Sequence, residues 1–105
     1  MLLRISGQNV KIPGDMRAYV AAKATNLAKY YHHLDRVKVT LRRGSNGAAI
    51  ARIVATGKRR RCFVAEETAD NAYGSINQAA RDLERQLSKA KTRKKTTRHS
   101  RISLP

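Results

Sequence analysis

Arg81, Arg85 and Lys89 recur at every fourth residue. A helix through this segment would set the three cations in one row. Such a row suits phosphate, because guanidinium forks pair with its oxygens and do not deprotonate. The densest basic run is Lys58-Arg59-Arg60-Arg61. Alone it reads as a solvated turn that keeps an edge strand from pairing. Beside Arg42, Arg43 and the helical row, it reads better as part of a phosphate-binding surface. A surface of this kind selects a polyanion but not a base sequence, since charge reads phosphates.

The other reactive side chains form no comparable set. His32 and His33 are adjacent, so in a strand or loop their rings point apart. No cysteine or third histidine lies at ligand spacing, and His99 is in the basic tail. A helix-end cap or a rim contact is the simpler role for the pair. Cys62 is a lone cysteine, read as a small packed side chain on a strand. Glu66, Glu67 and Asp70 are the only acidic cluster. Ion pairs with tail cations or capping of the last helix are commoner roles for them than holding magnesium. Tyr30, Tyr31 and Tyr73 at helical spacing read as core or core rim before they read as base-stacking platforms. There is no nucleophile–base pair, no glycine-rich phosphate loop and no zinc spacing. A non-catalytic protein without cofactor or metal is expected.

The whole chain supports a polyanion partner. Its 105 residues carry 23 Lys and Arg against 7 Asp and Glu, a formal net charge of +16. That imbalance repels itself in the compact state. Binding to nucleic acid relieves it, and releases counterions as phosphates are neutralised. Residues 91–105 hold Lys91, Arg93, Lys94, Lys95, Arg98 and Arg101 with no acid. The rest of the chain still keeps most of the excess, so the folded part is basic in its own right. Hydrophobic residues make up 41%, which suits one globular domain and one core. Aromatics are few, against a single-strand stacking protein. The apolar start Met1-Leu2-Leu3 is broken by Arg4, and no apolar run is long enough to cross a bilayer. A cytoplasmic protein with no membrane contact is expected, monomeric when free.

These cations need elements to hold them. Leu3 and Ile5 alternate in a first strand ended by Gly7. Val10 and Ile12 suit an extended continuation. Pro13-Gly14-Asp15 opens a helix whose inner stripe is Met16, Tyr19, Val20, Lys23, Leu27 and Tyr30 or Tyr31. A bare face of Ala18, Ala21, Ala22, Thr25 and Ala28 lies opposite. Val37, Val39 and Leu41 alternate with Lys38, Thr40 and Arg42 in a second strand. Gly44-Ser45-Asn46-Gly47 is a turn signal. A third strand follows, with Ala49, Ala51, Ile53 and Ala55 on one face. After Thr56-Gly57-Lys58 a fourth runs from about Arg60 to Glu66, with Phe63 and Ala65 inward. Asp70 is a candidate N-cap for a final helix with an inner stripe of Tyr73, Ile76, Ala80, Leu83, Leu87 and Ala90. That helix is expected to fade into a tail, residues 92–105, disordered when free.

The order is β-α-β-β-β-α. This predicts an α+β two-layer sandwich over residues 1–91, a four-stranded sheet with both helices packed on one face. Val37, Val39, Leu41, Ile53 and Phe63 would meet Val20, Leu27, Ile76, Leu83 and Leu87 in the core. The far side of the sheet would show Lys38, Arg42 and Arg52 to solvent.

Five short motifs occur in family order. Leu3-Arg4-Ile5-Ser6-Gly7-Gln8-Asn9-Val10 resembles the strand and Gly-Lys-Asn-Ile turn of the short ribosome hibernation promoting factors, the protein Y or ribosome-associated inhibitor family. Met16-Arg17-Ala18-Tyr19-Val20 is similar to that family's Leu-Arg-Glu-Tyr-Val, and Leu27-Ala28-Lys29-Tyr30 to its Leu-Glu-Lys-Tyr. Tyr73-Gly74-Ser75-Ile76 stands where the family has Tyr-x-Ala-Ile. Leu83-Glu84-Arg85-Gln86-Leu87 matches its Leu-Glu-Arg-Gln-Leu. The pattern departs at Asn71-Ala72 and Asn77, and in the more basic hairpin around Arg59, Arg60 and Arg61.

The resemblance implies the same fold and binding to the small ribosomal subunit, in the channel that messenger and transfer RNA occupy. By position, Arg81, Arg85, Lys89 and Lys91 on the last helix, with Arg17 and Lys29 on the first, would contact 16S-type ribosomal RNA. Tyr73 would lie at the edge of that surface. Arg42, Arg59, Arg60, Arg61, Lys94 and Lys95 complete the expected RNA-binding set. Translation would be blocked sterically. The rival readings are a free double-stranded-RNA module and a constitutive ribosomal structural protein.

Overall fold

The computed structural model describes residues 2–30, 34–58 and 61–103, with side chains described for the same residues except Tyr30 and 91–103. Tyr31, His32, His33, Arg59 and Arg60 therefore lie outside the described residues. So do the side chains of Lys91, Lys94, Lys95 and His99.

The elements are β1 (Leu2–Gln8), α1 (Gly14–Tyr30), β2 (Leu34–Arg43), β3 (Ala49–Gly57), β4 (Cys62–Ala69) and α2 (Ala72–Ser103). The sheet order is β1-β2-β3-β4, with β1 parallel to β2 and the other two pairings antiparallel. This is the α+β sandwich the alternation and helical periods predict. Strands β1, β2 and β4 share a direction, and α1 and α2 each follow one of them and return along the sheet. Both helix N-termini therefore lie at one end of the domain.

The core forms where the two periods meet. Val37, Val39 and Leu41 of β2, Ala51, Ile53 and Ala55 of β3 and Ala65 of β4 are buried against Val20, Ala24 and Leu27 of α1 and Ile76, Ala79, Ala80, Leu83 and Leu87 of α2. Phe63, Leu3, Ile5 and Met16 pack around this centre, partly buried. Within α1 the stripe is centred on Ala24, not Lys23. A methyl side chain lets the helix sit close, while the Lys23 ammonium lies 5.4 Å from the centroid of the Tyr19 ring.

Local chemistry sets the element ends. Pro13 supplies the carbonyl for the first bond of α1, from Arg17 N at 2.9 Å. The cap of α2 is Asn71, not Asp70: its Oδ1 accepts from Gly74 N at 2.8 Å. Either side chain suits the position, and the helix starts one residue later than Asp70 would set it. β4 begins at Cys62 and runs on to Ala69, because Gly57 N donates to Arg61 O at 2.8 Å and the connection closes there. Cys62 is exposed and not packed, since inward Phe63 and Ala65 force it to the opposite face.

β1 passes through Gly7 and ends one residue later. Asn9 follows at φ 57, a left-handed conformation that asparagine tolerates. The chain folds back there, and a Cβ on Gly7 would lie 2.4 Å from the Val10 carbonyl oxygen. The backbone of residues 92–103 continues α2, where the sequence reading expects disorder in the free chain. No glycine or proline falls between Ser75 and Leu104, and lysine and arginine are good helix formers.

Two glycine substitutions should act with opposite signs. Gly7→Ala should cost about 1–3 kcal/mol by overpacking against Val10. Gly14→Ala, with nothing within 4 Å of the added carbon, should stabilise by about 0.4–1 kcal/mol. Urea denaturation midpoints of the two variants against the parent test this pair.

Candidate nucleic-acid interface

The inner stripe of α2 fixes the direction of its outer face. With Ile76, Ala80, Leu83 and Leu87 locked into the core, Arg81, Arg85 and Lys89 must project to solvent, and all three are exposed. They flank a shallow open hollow with Glu84 and Ser88. None of the three forms an ion pair with another described residue; the only ion pair among the described residues is elsewhere. A second hollow joins Arg61, Phe63, Gln86, Lys89 and Ala90. The basic β3–β4 hairpin and the helical row thus converge at Lys89. The Gln86 side-chain amide donates to the Val64 carbonyl at 2.9 Å and ties α2 to the edge strand beside this point.

At the other end of α2, Tyr73 meets α1. Its ring packs edge-on against Tyr19, with centroids 5.2 Å apart at 74°. Its hydroxyl donates to Asp15 Oδ2 at 3.3 Å. Desolvation, and then the Asp15 charge and hydrogen bond, hold the Tyr73 hydroxyl above its ordinary pKa. Tyr73 is 37% exposed, so it is a helix–helix clamp with one rim open to solvent.

The remaining candidates divide between surfaces. Arg17 and Lys29 are exposed on α1. Arg42 is on the open face of the sheet, opposite the helices, and pairs with Glu66 at 3.4 Å. It does not share a surface with the α2 row. Glu66 is thereby assigned to the sheet and not to a helix cap, and among the described residues no three His, Cys, Asp or Glu side chains gather as a metal site would need.

The geometry is a bare cationic row on a braced helix, joined to a basic hairpin. The sequence of residues 3–95 matches the model of the sigma 54 modulation protein / S30EA ribosomal protein family. The chain belongs to this family. It is 35% identical over 95 residues to the ribosome hibernation promotion factor of Deinococcus radiodurans, covering 88% of this chain and 50% of that protein. The chain thus spans about half the length of that relative. Among solved structures, the Thermus thermophilus protein Y N-terminal domain is similar at a TM-score of 0.75 and 26% identity, over 85% of this chain and 98% of that one. A ribosomal subunit interface protein from Coxiella burnetii superposes at a TM-score of 0.79, over 88% of this chain and 99% of the other. At 20% identity this second likeness concerns the fold alone.

Within this S30EA-family domain, the four-residue spacing was enough to find the α2 row. The junction of Arg61 with Lys89 was hidden, because it depends on where the β3–β4 hairpin ends relative to α2. The clamp of Tyr73 on Asp15 was hidden too, since 58 residues separate the partners.

The clamp gives a spectroscopic prediction. Asp15→Asn should lower the Tyr73 titration toward its ordinary value, read as the tyrosinate absorbance lost in a Tyr73→Phe control. The folded value is raised, so the stability from this contact is full below pH 10.0 and is lost as pH rises through the folded value. An alkaline unfolding series should show that loss in the parent and less of it in Asp15→Asn.

Proposed function

We propose that this domain is a non-catalytic hibernation factor that silences ribosomes by occupying the messenger and transfer RNA channel of the small subunit. The reading is supported by membership of the S30EA family and by the name of the Deinococcus relative, a ribosome hibernation promotion factor. The observation that carries it is the row of Arg81, Arg85 and Lys89, exposed and without an ion-pair partner among the described residues, on a helix whose other side is buried. Side chains on such a helix keep their spacing without a partner, so phosphate contacts cost little ordering. Arg61 extends the surface at Lys89, and Arg17 and Lys29 widen it on α1. Lys91, Lys94 and Lys95 continue it along the sequence, as do Arg59 and Arg60 in the hairpin.

The mechanism is steric. The domain fills a space walled by ribosomal RNA, and its cations replace the counterions of the phosphates they meet. No bond is made or broken, and messenger and transfer RNA are excluded while it stays. The ribosome-bearing cytosol is the site of action.

Co-sedimentation with 30S and 70S particles tests the reading. Binding should fall as messenger and initiator transfer RNA are added. Undiminished binding under saturating competitor would place the site elsewhere. Equal affinity for plain RNA duplex at the same salt would favour a free duplex-RNA module. Arg81→Glu with Arg85→Glu should weaken ribosome binding by about a hundredfold or more, from two lost charge-assisted contacts. With six or more phosphates contacted, the parent should lose about a thousandfold in affinity between about 50 and 200 mM salt.

A further inference from the structure

The strand register places every outward side chain of the sheet. Across β1 to β4 the solvent face reads Leu2–Arg36–Thr56–Cys62, then Arg4–Lys38–Val54–Val64, then Ser6–Thr40–Arg52–Glu66, then Gln8–Arg42–Ile50–Thr68. Five cations, Arg4, Arg36, Lys38, Arg42 and Arg52, stand on this face against one carboxylate, Glu66. Asp35 lies outside the paired rows, at the register shift between Leu34 and Arg36.

We propose that this open sheet face is a second RNA-backbone surface, on the side of the domain opposite the α2 row. Three observations point to it. Arg4 is directly opposite Lys38 on the neighbouring strand. Like charges so placed weaken a sheet unless an anion comes between them. Glu66 satisfies Arg42 at 3.4 Å and is also the register partner of Arg52, which leaves Arg4, Arg36 and Lys38 with no acid in their rows. The only large apolar groups exposed here are Leu2, at the edge, and Val64, at 41%. Arginine and lysine stems can lie over Val54 and Val64 and still hold their heads outward.

The chemistry favours backbone over bases. No aromatic side chain is among the outward positions, so the face offers no stacking platform of the kind that reads splayed bases. Four strands about 4.8 Å apart set the cations on a rigid grid roughly 14 Å wide. A sheet cannot adjust that grid, so it suits a strand or duplex of regular phosphate spacing. With cations on both sides, the domain would lie between two RNA segments and bridge them.

The surface is separate from the α2 row, and the experiment keeps the two apart. An RNA duplex of about 16 base pairs is titrated into the ¹⁵N-labelled protein at low salt. Amide shifts should move at Arg4, Lys38 and Arg52 as well as along α2. In Arg81→Glu/Arg85→Glu the sheet-face shifts should persist. Lys38→Glu/Arg52→Glu should abolish them, weaken binding about tenfold or more, and lower the salt slope by about 1.4–1.8, for two lost phosphate contacts. Lys11→Glu, in the β1–α1 loop, should weaken binding less than Lys38→Glu does. If charge reversal disturbs the fold, Lys38→Gln/Arg52→Gln makes the same test with smaller loss. Shifts confined to the helices, or an unchanged affinity and salt slope in both Lys38/Arg52 variants, would overturn the proposal. Equal losses from Lys11→Glu and Lys38→Glu would overturn it too, because net charge alone would then account for binding. Shifts on the sheet without any on α2 would leave it standing and remove the α2 reading instead.

Discussion

Burying one side of both helices against one side of the sheet is the constraint on which the rest depends. The chain carries a formal +16 over 105 residues, and that charge favours expansion. The buried set opposes it: Val20, Leu27, Val37, Val39, Leu41, Ile53, Ile76, Leu83 and Leu87, with alanines filling the close approaches. The same burial turns the charge into a surface. Each inward residue on a helix or strand forces its neighbours outward at a fixed spacing. The Arg81, Arg85 and Lys89 row and the cation grid on the sheet are both consequences of which side chains are buried.

The fold could be read from the sequence because two periods dominate it. Alternation in β2 and β3, and the three–four spacing in α1 and α2, identify inward residues without tertiary knowledge. What could not be read depends on contacts between distant segments or on near-equal local choices. Asp70 and Asn71 are both good caps, and a single bond from Gly74 N to the Asn71 side-chain oxygen decides between them. Cys62 reads as packed by residue type, yet the pairing of β3 with β4 turns it outward. Spacing alone does not separate Ala24 from Lys23, because both stand three or four residues from Val20 and from Leu27.

The same division holds for the site. Arg81, Arg85 and Lys89 are local in sequence and so were visible. Charge alone groups Arg42 with them, although its own alternation with Val39 and Leu41 sends it to the other face. Composition groups cations together, but burial distributes them. Gly7 and Asn9 show the reverse case, where a short family motif has a purely conformational cause. The turn needs an absent side chain at Gly7 and a left-handed backbone at Asn9, and neither requirement concerns a ligand.

The topology also gives the domain a direction. Because α1 and α2 both begin at one end, Asp15 sits in the positive first turn of α1, with Glu67 and Asp70 near the end of β4. Lys29 lies in the last turn of α1, and Lys58 and Arg61 occupy the hairpin at the opposite end of the sheet. Asp15 and Lys29 each lower the energy of the α1 dipole, whereas the hairpin gathers like charges beside Lys89. Together these placements set Asp15, Glu67 and Asp70 among Lys11, Arg17, Arg42 and Arg43 at one end, while at the other Asp35 stands against Lys29, Lys58, Arg61 and Lys89, so more of the cationic excess lies at the hairpin end. On the proposed function the hairpin end would meet RNA first, because fewer acids offset its cations.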